Sequence, residues 1–432
     1  MSLRNIEVRA IKILRFYTWD FFLFVALKLI QKESFRILYR VGVFRIFFRE
    51  NYTHPQQQNL SALYESEITN SLTELETIVK DSLEKNLESS QEVSSLGEVD
   101  LRKKISQVVL IHPDGWLTEE TAEGRTQGQQ IRFFKAGIEA LGIGINCISD
   151  NQVDIRDVKI RNSVIILFSL SKLQLTKNVM CEIMELRRNR EDFKTLVVGY
   201  NTMYLHNDNI SLITRWCGYL DAILHFEEKF ELLAELRRHF IVLHIPAFGY
   251  ESRAKVDLDG CQKYQIHASA LIKHNRAAWF LTTRYLCEKE NMVFKMRIIS
   301  DPLRHLSQKF FGYADIKTIA RERAMSSCGL VLAHRAPGED VFLLSNLLDY
   351  YRYGCIPIVQ HEKHHDSISS YLIRNLDYFE VQTSKDLHVV LKMIKHNPDL
   401  IKKMRTRILK RVETEFSPKV IVNKLLLELR GL

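Results

Sequence analysis

Residues 326–360 constrain the fold of this chain most strongly, because they predict a complete strand, loop, helix and strand. Residues 328–332 are a short apolar run, and residues 335–340 are a polar loop with carboxylates at its end. The residues that then recur at helical spacing are Phe342, Leu343, Leu347, Leu348 and Tyr351. Gly354 ends that helix, since glycine adopts the left-handed conformation that closes a helix. Residues 356–359 are apolar enough for a strand covered on both faces, so the stretch predicts part of a parallel α/β sheet.

The polar loop and the helix after it lie where α/β proteins bind ligands. Ligands of open α/β sheets lie outside the carboxyl ends of the strands, next to helix N-termini. Residues 335–340 and the first helical turn, with Ser345 and Asn346, occupy this location. Free N–H groups and the positive end of a helix dipole there suit a phosphate group. The alternative is an ordinary buried strand–helix–strand unit that binds no ligand.

Three short pieces of this stretch resemble the donor-binding segment of GT-B glycosyltransferases, enzymes with two Rossmann-like domains that use nucleotide sugars. The pieces are Pro-Gly-Glu-Asp at 337–340, Ser-Asn-Leu-Leu-Asp-Tyr at 345–350 and Gly-Cys-Ile-Pro-Ile-Val at 354–359. The similarity is best to the exostosin-like and family-4-like branches. It implies that Asp349 binds the donor ribose. Glu339 lies farther from Asp349 than the glutamate pair of family-4-like enzymes allows, so inverting and retaining stereochemistry both stay open.

The resemblance also implies cations for the donor diphosphate, because the first loop of the C-terminal domain commonly supplies them. Lys273 and Arg276 lie in the corresponding loop, and Arg335 is a third candidate. Fixed cations and helix dipoles can neutralise a diphosphate leaving group without a metal ion, so no cofactor is expected. The predicted donor-binding residues are Lys273, Arg276, Arg335, Gly338, Glu339, Asp340, Ser345, Asn346 and Asp349.

The first half of the chain shows the same alternation of strands and helices. Residues 108–111 are a buried strand, residues 126–130 a polar loop and residues 143–148 the next strand. The residues that mark a helix between them are Ile131, Phe134, Ile138 and Leu141. Gln127 and Gly128 resemble the glycine loop that lines the cleft of GT-B enzymes beneath donor and acceptor. We therefore expect residues 126–130 to be a cleft loop.

Further apolar runs complete the predicted fold class. They are residues 164–168, 195–199, 222–226, 241–245, 266–272 and 293–300, with helices between them. Alternation at this spacing predicts parallel, doubly wound sheets. The prediction is an α/β chain with two Rossmann-like domains facing across a cleft, and an N-terminal helical extension. The expected segments are a basic arm at 1–58, an acidic helical linker at 59–105, domains at 106–250 and 251–410, and a C-terminal helix at 411–432 that returns toward the first domain.

An inverting transferase needs a base that takes the proton of the acceptor hydroxyl. The first loop of the N-terminal domain follows the strand at 108–111 and is rich in titratable groups. The candidates from this loop are His112, Asp114, Glu119, Glu120 and Glu123. A retaining enzyme requires no such base. The predicted acceptor is a glycan or lipid-linked glycan in surface polysaccharide assembly.

The N-terminal arm is basic and aromatic. Residues 1–50 hold ten Lys or Arg against four Asp or Glu, most of the net charge of +9. No apolar run reaches the about 20 residues that a spanning helix needs, and the longest is 21–27. An interfacial helix pair on anionic lipid fits this composition, and a helical hairpin packed on the protein's own core is the alternative. Bulky apolar side chains between the charges disfavour nucleic acid as the partner.

The cysteines indicate the cellular compartment, and the basic residues near the C-terminus indicate a surface of the protein. The seven cysteines are scattered singly, which favours a reducing compartment over disulfides or a zinc–thiolate site. We therefore expect a cytoplasmic protein, peripheral on the membrane. The basic residues of 392–411 alternate with apolar ones at helical spacing, and we expect them to form mostly a solvated helix face.

Two other function classes compete with a transferase. Residues 361–365 spell His-Glu-Lys-His-His, which matches the HExxH pattern of zinc peptidases. That chemistry needs both histidines on one helix face, whereas this motif follows directly on a predicted strand and is expected to begin as a loop. The other alternative is a non-catalytic, membrane-attached GT-B-like scaffold that binds a nucleotide, because no single base is identified.

Overall fold

The structure is a computed structural model that places most of the chain from residue 62 onward. It describes residues 62–89, 105–117, 122–189, 194–200, 207–225, 231–245, 256, 258, 263–271, 274–299, 316–332, 344–360 and 372–431. The predicted arm at 1–58 lies outside these residues.

Six parallel strands form the first sheet. They are β1 (Gln107–His112), β2 (Gly144–Ser149), β3 (Ser163–Phe168), β4 (Leu196–Tyr200), β5 (Ala222–His225) and β6 (Ile241–His244). The helices that belong with them are α2 (Ala122–Ala140), α3 (Ile155–Val158), α4 (Lys177–Arg188), α5 (Asn207–Thr214) and α6 (Glu231–Arg237), preceded in the chain by α1 (Ala62–Ser89). The sheet order is β2-β1-β3-β4-β5-β6. We call β1–β6 with α2–α6 the first unit.

Five parallel strands form the second sheet. They are β7 (Tyr264–Leu271), β8 (Phe294–Ile299), β9 (Ser326–Val331), β10 (Ile356–Gln360) and β11 (Phe379–Val381), in the order β11-β10-β9-β7-β8. The helices are α7 (His274–Lys289), α8 (Ile316–Ala324), α9 (Leu344–Tyr351), α10 (Ser384–His396), α11 (Pro398–Thr414) and α12 (Pro418–Arg430). We call β7–β11 with α7–α11 the second unit. Two doubly wound parallel sheets confirm the predicted fold class.

Both faces of the first sheet are covered, which explains why its strands are apolar without alternation. Val108 and Leu110 of β1 belong to one hydrophobic core, and Val109 and Ile111 belong to another on the opposite face. Neighbouring residues of a strand point to opposite faces, so a strand between two helical layers buries every side chain. All six residues of β3 are buried, as expected for a central strand.

The C-terminal helix α12 packs on α2 of the first unit. Ser417 caps α12 by accepting a hydrogen bond from the Val420 N–H, and Pro418 occupies the first turn. Gly137 of α2 makes the close approach possible. A Cβ atom there would lie 2.4 Å from the Pro418 carbonyl oxygen and 2.5 Å from Cγ2 of Val422. The C-terminal helix α12 is therefore packed against the first unit.

The acidic helix α1 packs along α10 of the second unit. Ile68 and Val79 of α1 are fully buried, and the Glu67 carboxylate pairs with Lys385 at 2.8 Å. The Glu76 carboxylate accepts a hydrogen bond from the Asn397 side chain at 2.6 Å. These contacts run along α10 from its first turn to its end, so α1 is a packed element rather than a solvated spacer.

In the basic run at 392–411 the arginines differ from the predicted solvated face, whereas Lys395, Lys402, Lys403 and Lys410 are exposed as predicted. Arg405 is only 2% exposed and donates to the Gly354 carbonyl oxygen at 2.7 Å. Arg407 and Arg411 both donate to the fully buried carboxylate of Asp377. Helical spacing cannot distinguish an arginine that faces water from one that reaches a buried acceptor, and the acceptors here come from distant parts of the chain.

Of the helices that the structure describes, none combines the length and the apolar content that crossing a bilayer requires.

Candidate functional site

The strand order places one crevice in each unit. In both sheets the first strand lies between the second and the third, so the chain changes direction between β1 and β3 and again between β7 and β9. Ligands of doubly wound sheets bind outside the carboxyl ends of the strands at this switch point. A ligand is therefore expected next to the residues that follow β1 and β3, and next to those that follow β7 and β9.

His112 ends β1 at the first of these crevices, and its imidazole is oriented by the backbone. The side chain is 4% exposed, and Nδ1 lies 2.9 Å from the Pro113 carbonyl oxygen. A carbonyl oxygen only accepts, so Nδ1 carries the proton and Nε2 presents a lone pair. Nε2 has no hydrogen-bond partner among the described residues. Burial lowers the pKa of His112, although the Pro113 hydrogen bond and nearby Asp150 oppose this shift. The ring is therefore a neutral acceptor near pH 7.

Asp150, which follows β2, ties the loops of this crevice together. Its Oδ1 accepts from the Asp114 N–H at 3.2 Å, and its Oδ2 accepts from the Gln174 N–H at 2.9 Å. Asp114 in turn accepts a hydrogen bond from the Ser149 hydroxyl at 3.0 Å. The predicted candidate Asp114 is thus engaged in holding its loop, while the neighbouring His112 keeps an open lone pair.

Ser169 lies directly after β3 and is not among the residues predicted from the sequence. It is fully buried and adopts a left-handed backbone with φ of 56°. Its hydroxyl has no hydrogen-bond partner among the residues that the structure places. A polar residue immediately after a fully apolar run was the available signal, because such residues sit at the carboxyl edge of a sheet.

The other candidates for the base, three glutamates, have no described side chains. Glu119 and Glu120 lie outside the described residues, and Glu123 lies in the first turn of α2 without a described side chain. The structure brings His112 and Asp114 together and leaves the three glutamates as predictions.

The predicted cleft loop at Gln127 and Gly128 is wrong, because α2 runs through both residues. A single glycine inside a helix is tolerated at about 1 kcal/mol relative to alanine, and here packing requires it. A Cβ atom on Gly128 would lie 2.0 Å from the Trp116 carbonyl oxygen. Gly128 lets α2 pack against the turn after β1, so it supports the loop of His112 instead of forming a loop itself.

In the second unit, Asp349 of α9 is paired with Arg323 of α8. Nη1 of Arg323 lies 3.6 Å from Oδ2 of Asp349, whose side chain is 25% exposed. Burial raises the pKa of Asp349, and the charges of Arg323 and Arg352 oppose this shift. The carboxylate is thus oriented by a cation and still reaches the surface, as a group that binds ribose hydroxyls would require.

Tyr350 fixes the position of α9 over the switch point of the second sheet. Its hydroxyl accepts from the Ser269 N–H at 3.0 Å and lies 3.1 Å from Nδ1 of His267. Its ring lies over Gly329 of β9, where a Cβ atom would come within 2.0 Å of the ring. The Arg323 guanidinium lies 4.9 Å from the ring centroid, within cation–π range. Asp349 therefore directly precedes the residue that ties α9 to β7.

Glu322 pairs with several basic side chains of this unit. Arg297 donates to both of its oxygens, at 2.8 and 2.5 Å, and Lys295 lies 3.4 Å away. Burial alone would raise the pKa of Glu322, but the hydrogen bonds from Arg297 and the His267 ring, whose Nε2 lies 3.6 Å away, bring it well below its usual value. Burial lowers the pKa of His267 to about 4. These groups are paired with one another, and we assign them to stability.

The other predicted donor-binding residues are only partly placed. Arg276 lies in the first turn of α7, and Ser345 and Asn346 lie in the first turn of α9, without described side chains. These two helices follow β7 and β9, so their N-termini lie at the switch point. The predicted residues that lie outside the described part of the chain are Lys273, Arg335, Gly338, Glu339 and Asp340.

The HExxH motif at 361–365 also lies outside the described residues. Within the described ranges, no group of three or more His, Cys, Asp or Glu side chains is arranged to hold a metal ion.

Comparison with known proteins finds similarity in structure. No protein-family model and no curated protein matches the sequence. The structure is similar to that of TarM, with 10% identity and a TM-score of 0.41, over 63% of this chain and 55% of TarM. It thus spans about half the length of that protein. A glycosyltransferase from Rickettsia africae gives 10% identity and a TM-score of 0.41 over 76% and 98% of the two chains.

A trehalose-phosphate synthase (UDP-forming) from Burkholderia vietnamiensis is also similar, with 8% identity and a TM-score of 0.40 over 76% of this chain and 99% of that one. At such identities and TM-scores the likeness concerns the fold and not what this chain binds or transfers.

Proposed function

We propose that this protein is a glycosyltransferase that moves a sugar from a nucleotide-sugar donor to a hydroxyl of a glycan or glycolipid acceptor in surface polysaccharide assembly. The observation that carries the proposal is the His112 imidazole at the switch point of the first sheet. Its Nδ1 is held by the Pro113 carbonyl oxygen at 2.9 Å, and its Nε2 has no hydrogen-bond partner among the described residues. This is the tautomer that a general base needs.

In the proposed reaction, Nε2 of His112 takes the proton of the acceptor hydroxyl. The acceptor oxygen then forms a bond to the anomeric carbon of the donor sugar, and the bond from that carbon to the diphosphate oxygen breaks. The electron pair of the broken bond leaves with the nucleoside diphosphate. A base on the acceptor side corresponds to direct displacement, so the anomeric configuration inverts. General base catalysis of this kind contributes about 10²- to 10⁴-fold in rate.

The donor would bind at the switch point of the second sheet. Asp349, oriented by Arg323 at 3.6 Å, supplies a carboxylate for the ribose hydroxyls. The N-termini of α7 and α9 supply N–H groups and positive dipole ends for the diphosphate. Lys273, Arg276 and Arg335 remain predicted cations for the same group, and we propose that they act without a metal ion.

We also propose a cytoplasmic location on the membrane surface through residues 1–58. The basic and aromatic composition of this arm supports binding to anionic lipid. Deleting residues 1–58 should release the protein from vesicles that contain phosphatidylserine, as measured by sedimentation. Equal sedimentation of the truncated and full chains would contradict the role of the arm.

Thermal denaturation with nucleotides and nucleotide sugars tests the donor site, because a ligand of the folded state raises Tm. We expect one nucleotide family to raise the Tm of the full chain, and the shift to disappear in Asp349→Asn. Each variant is compared with its own ligand-free Tm, so any stability change from the lost Arg323 pair does not interfere. Glu428→Gln, an exposed change on α12, is the matched control and should keep the shift.

The outcomes also separate the competing functions. A nucleotide shift together with transfer of sugar to an acceptor supports the transferase. A nucleotide shift without turnover of any donor would favour the non-catalytic scaffold. No shift with any nucleotide or nucleotide sugar would contradict the donor site.

A further inference from the structure

Ser169 occupies a position that is unfavourable for serine on stability grounds alone. Its φ of 56° lies in the left-handed region, where the Cβ atom of a residue other than glycine is crowded. Its side chain is fully buried, and a buried hydroxyl without a partner is destabilising. Glycine at this position would remove both penalties. The hydroxyl is therefore the one feature that serine adds here.

The backbone of Ser169 explains how this conformation is held. Its N–H donates to the Tyr200 carbonyl oxygen at 2.8 Å, and its carbonyl oxygen accepts from the N–H groups of Lys172 and Leu173 at 2.8 and 3.0 Å. Both main-chain groups are thus bonded by neighbouring strand and turn. Only the hydroxyl is left without a partner among the described residues.

Ser169 and His112 are neighbours across two paired strands. Ile111 of β1 lies opposite Leu167 of β3 in the parallel register, and adjacent strands lie about 4.8 Å apart. His112 is the next residue on one strand, and Ser169 follows two residues after Leu167 on the other. Asp150 links the two loops through the N–H groups of Asp114 and Gln174. Two buried polar groups without described partners therefore follow adjacent strands at one switch point.

We propose that the Ser169 hydroxyl binds the acceptor, by a hydrogen bond to a second oxygen of the polyhydroxylated molecule whose attacking hydroxyl faces His112. This inference rests on the proposed function, since it names the acceptor as a polyol that offers neighbouring oxygens. Serine is suited to this contact because its hydroxyl both donates and accepts, as do sugar hydroxyls. Ser169 is thus a binding residue and takes no proton in the reaction.

Two substitutions and a matched control test the inference in the full chain. Ser169→Gly should raise the ligand-free Tm, and both Ser169→Gly and Ser169→Ala should raise the acceptor KM about tenfold with a much smaller change in kcat. The control is Ser163→Ala at the opposite end of β3. The Ser163 hydroxyl is also buried but donates to the Ile160 carbonyl oxygen at 2.7 Å. This control should show the reverse pattern, a lower Tm with an unchanged acceptor KM.

The outcomes separate this inference from the proposed function. If sugar transfer proceeds and both Ser169 variants keep the acceptor KM within about twofold of wild type, the inference is wrong and the transferase stands. If wild type transfers no sugar, methyl hexosides serve as probes of binding. A Tm increase with these probes that is lost in Ser169→Gly supports the hydroxyl-binding role without the transferase. If these probes do not raise the Tm of wild type, both the inference and the proposed function are overturned.

Discussion

Single residues show why buried histidines in this chain have different roles. His267 lies between Tyr350 and Glu322, and Nε2 of His388 lies 2.9 Å from Glu290. His112 contacts a backbone carbonyl oxygen through Nδ1. A histidine between two side chains contributes to packing and charge balance, whereas the second nitrogen of His112 has no side-chain partner among the described residues. The distinction lies in the partners and not in burial, since all three are buried.

The lowered pKa of His267 predicts that the free energy of unfolding falls in acid. Its pKa falls from 6.5 to about 4 on folding, so the folded state favours the neutral ring. The resulting stabilisation is present above pH 6.5 and is lost as the pH falls toward about 4, because the unfolded chain takes up the proton first. We expect the free energy of unfolding from urea titrations to fall by on the order of 3 kcal/mol across this window.

His267→Asn should flatten this part of the pH profile. His239→Asn is the control, because His239 is 40% exposed, and it should leave the profile unchanged. Equal slopes in both variants would contradict the assignment to His267.

The contacts of the buried Asp377 carboxylate predict that its loss strongly destabilises the fold. It accepts hydrogen bonds from Arg407, Arg411, the Tyr351 hydroxyl and the Ile373 N–H. Asp377→Ala would remove the carboxylate that two poorly exposed guanidinium groups share, although Arg411 keeps its pair with Glu415. Breaking a buried pair destabilises by about 3–5 kcal/mol. Urea denaturation measures this loss.

Lys385→Ala is the comparison for Asp377→Ala, since it removes an ion pair with Glu67 that is partly exposed on both sides. Such pairs contribute about 0–1 kcal/mol. Similar losses from the two substitutions would show that the Asp377 cluster is not the buried anchor that its contacts describe.

At the scale of secondary-structure elements, glycines set how closely helices approach their neighbours. Gly128 lets α2 pack on the turn after β1, Gly329 lets the Tyr350 ring lie on β9, and Gly137 lets α12 pack on α2. At each of these positions a Cβ atom would come closer than 2.5 Å to a neighbouring atom. The positions of the candidate site elements thus depend on the absence of a side chain.

Gly137→Ala should loosen the C-terminal helix. The new methyl group would meet the Pro418 carbonyl oxygen and Val422, and overpacking of this kind destabilises by about 1–3 kcal/mol. We expect a lower Tm and faster proteolysis within α12. Gly218→Ala, where a Cβ atom meets nothing within 4 Å, is the matched control, and an equal Tm loss there would contradict the packing argument.

At the scale of the whole molecule, the sequence was most informative where a single physical pattern decides the structure. Strands such as β3 and β10 are buried on both faces, so their apolar runs identified them. The predicted loop at Gln127 and Gly128 failed because one glycine among polar residues is typical of a loop and also of a tight helix contact. The contact partner, the Trp116 carbonyl oxygen, is separated in sequence and could not be read from local residues.

The site could be predicted only in part for the same reason. His112 was a candidate because it follows a buried strand, but its tautomer depends on the Pro113 carbonyl oxygen. Asp349 was identified by resemblance, whereas its partner Arg323 comes from another helix. Among the described serines, Ser169 differs through its backbone angle and through its hydroxyl, which has no partner within the described ranges. These properties arise only when separate strands and loops come together.

The most direct test of the account is the rate of sugar transfer by His112→Ala, measured together with donor binding. We predict that transfer falls by about 10²- to 10⁴-fold because the acceptor loses its base, while the Kd of the nucleotide sugar stays as in wild type. His239→Ala, at an exposed position, should leave both quantities unchanged. Transfer at the wild-type rate in His112→Ala would contradict the central claim that His112 activates the acceptor.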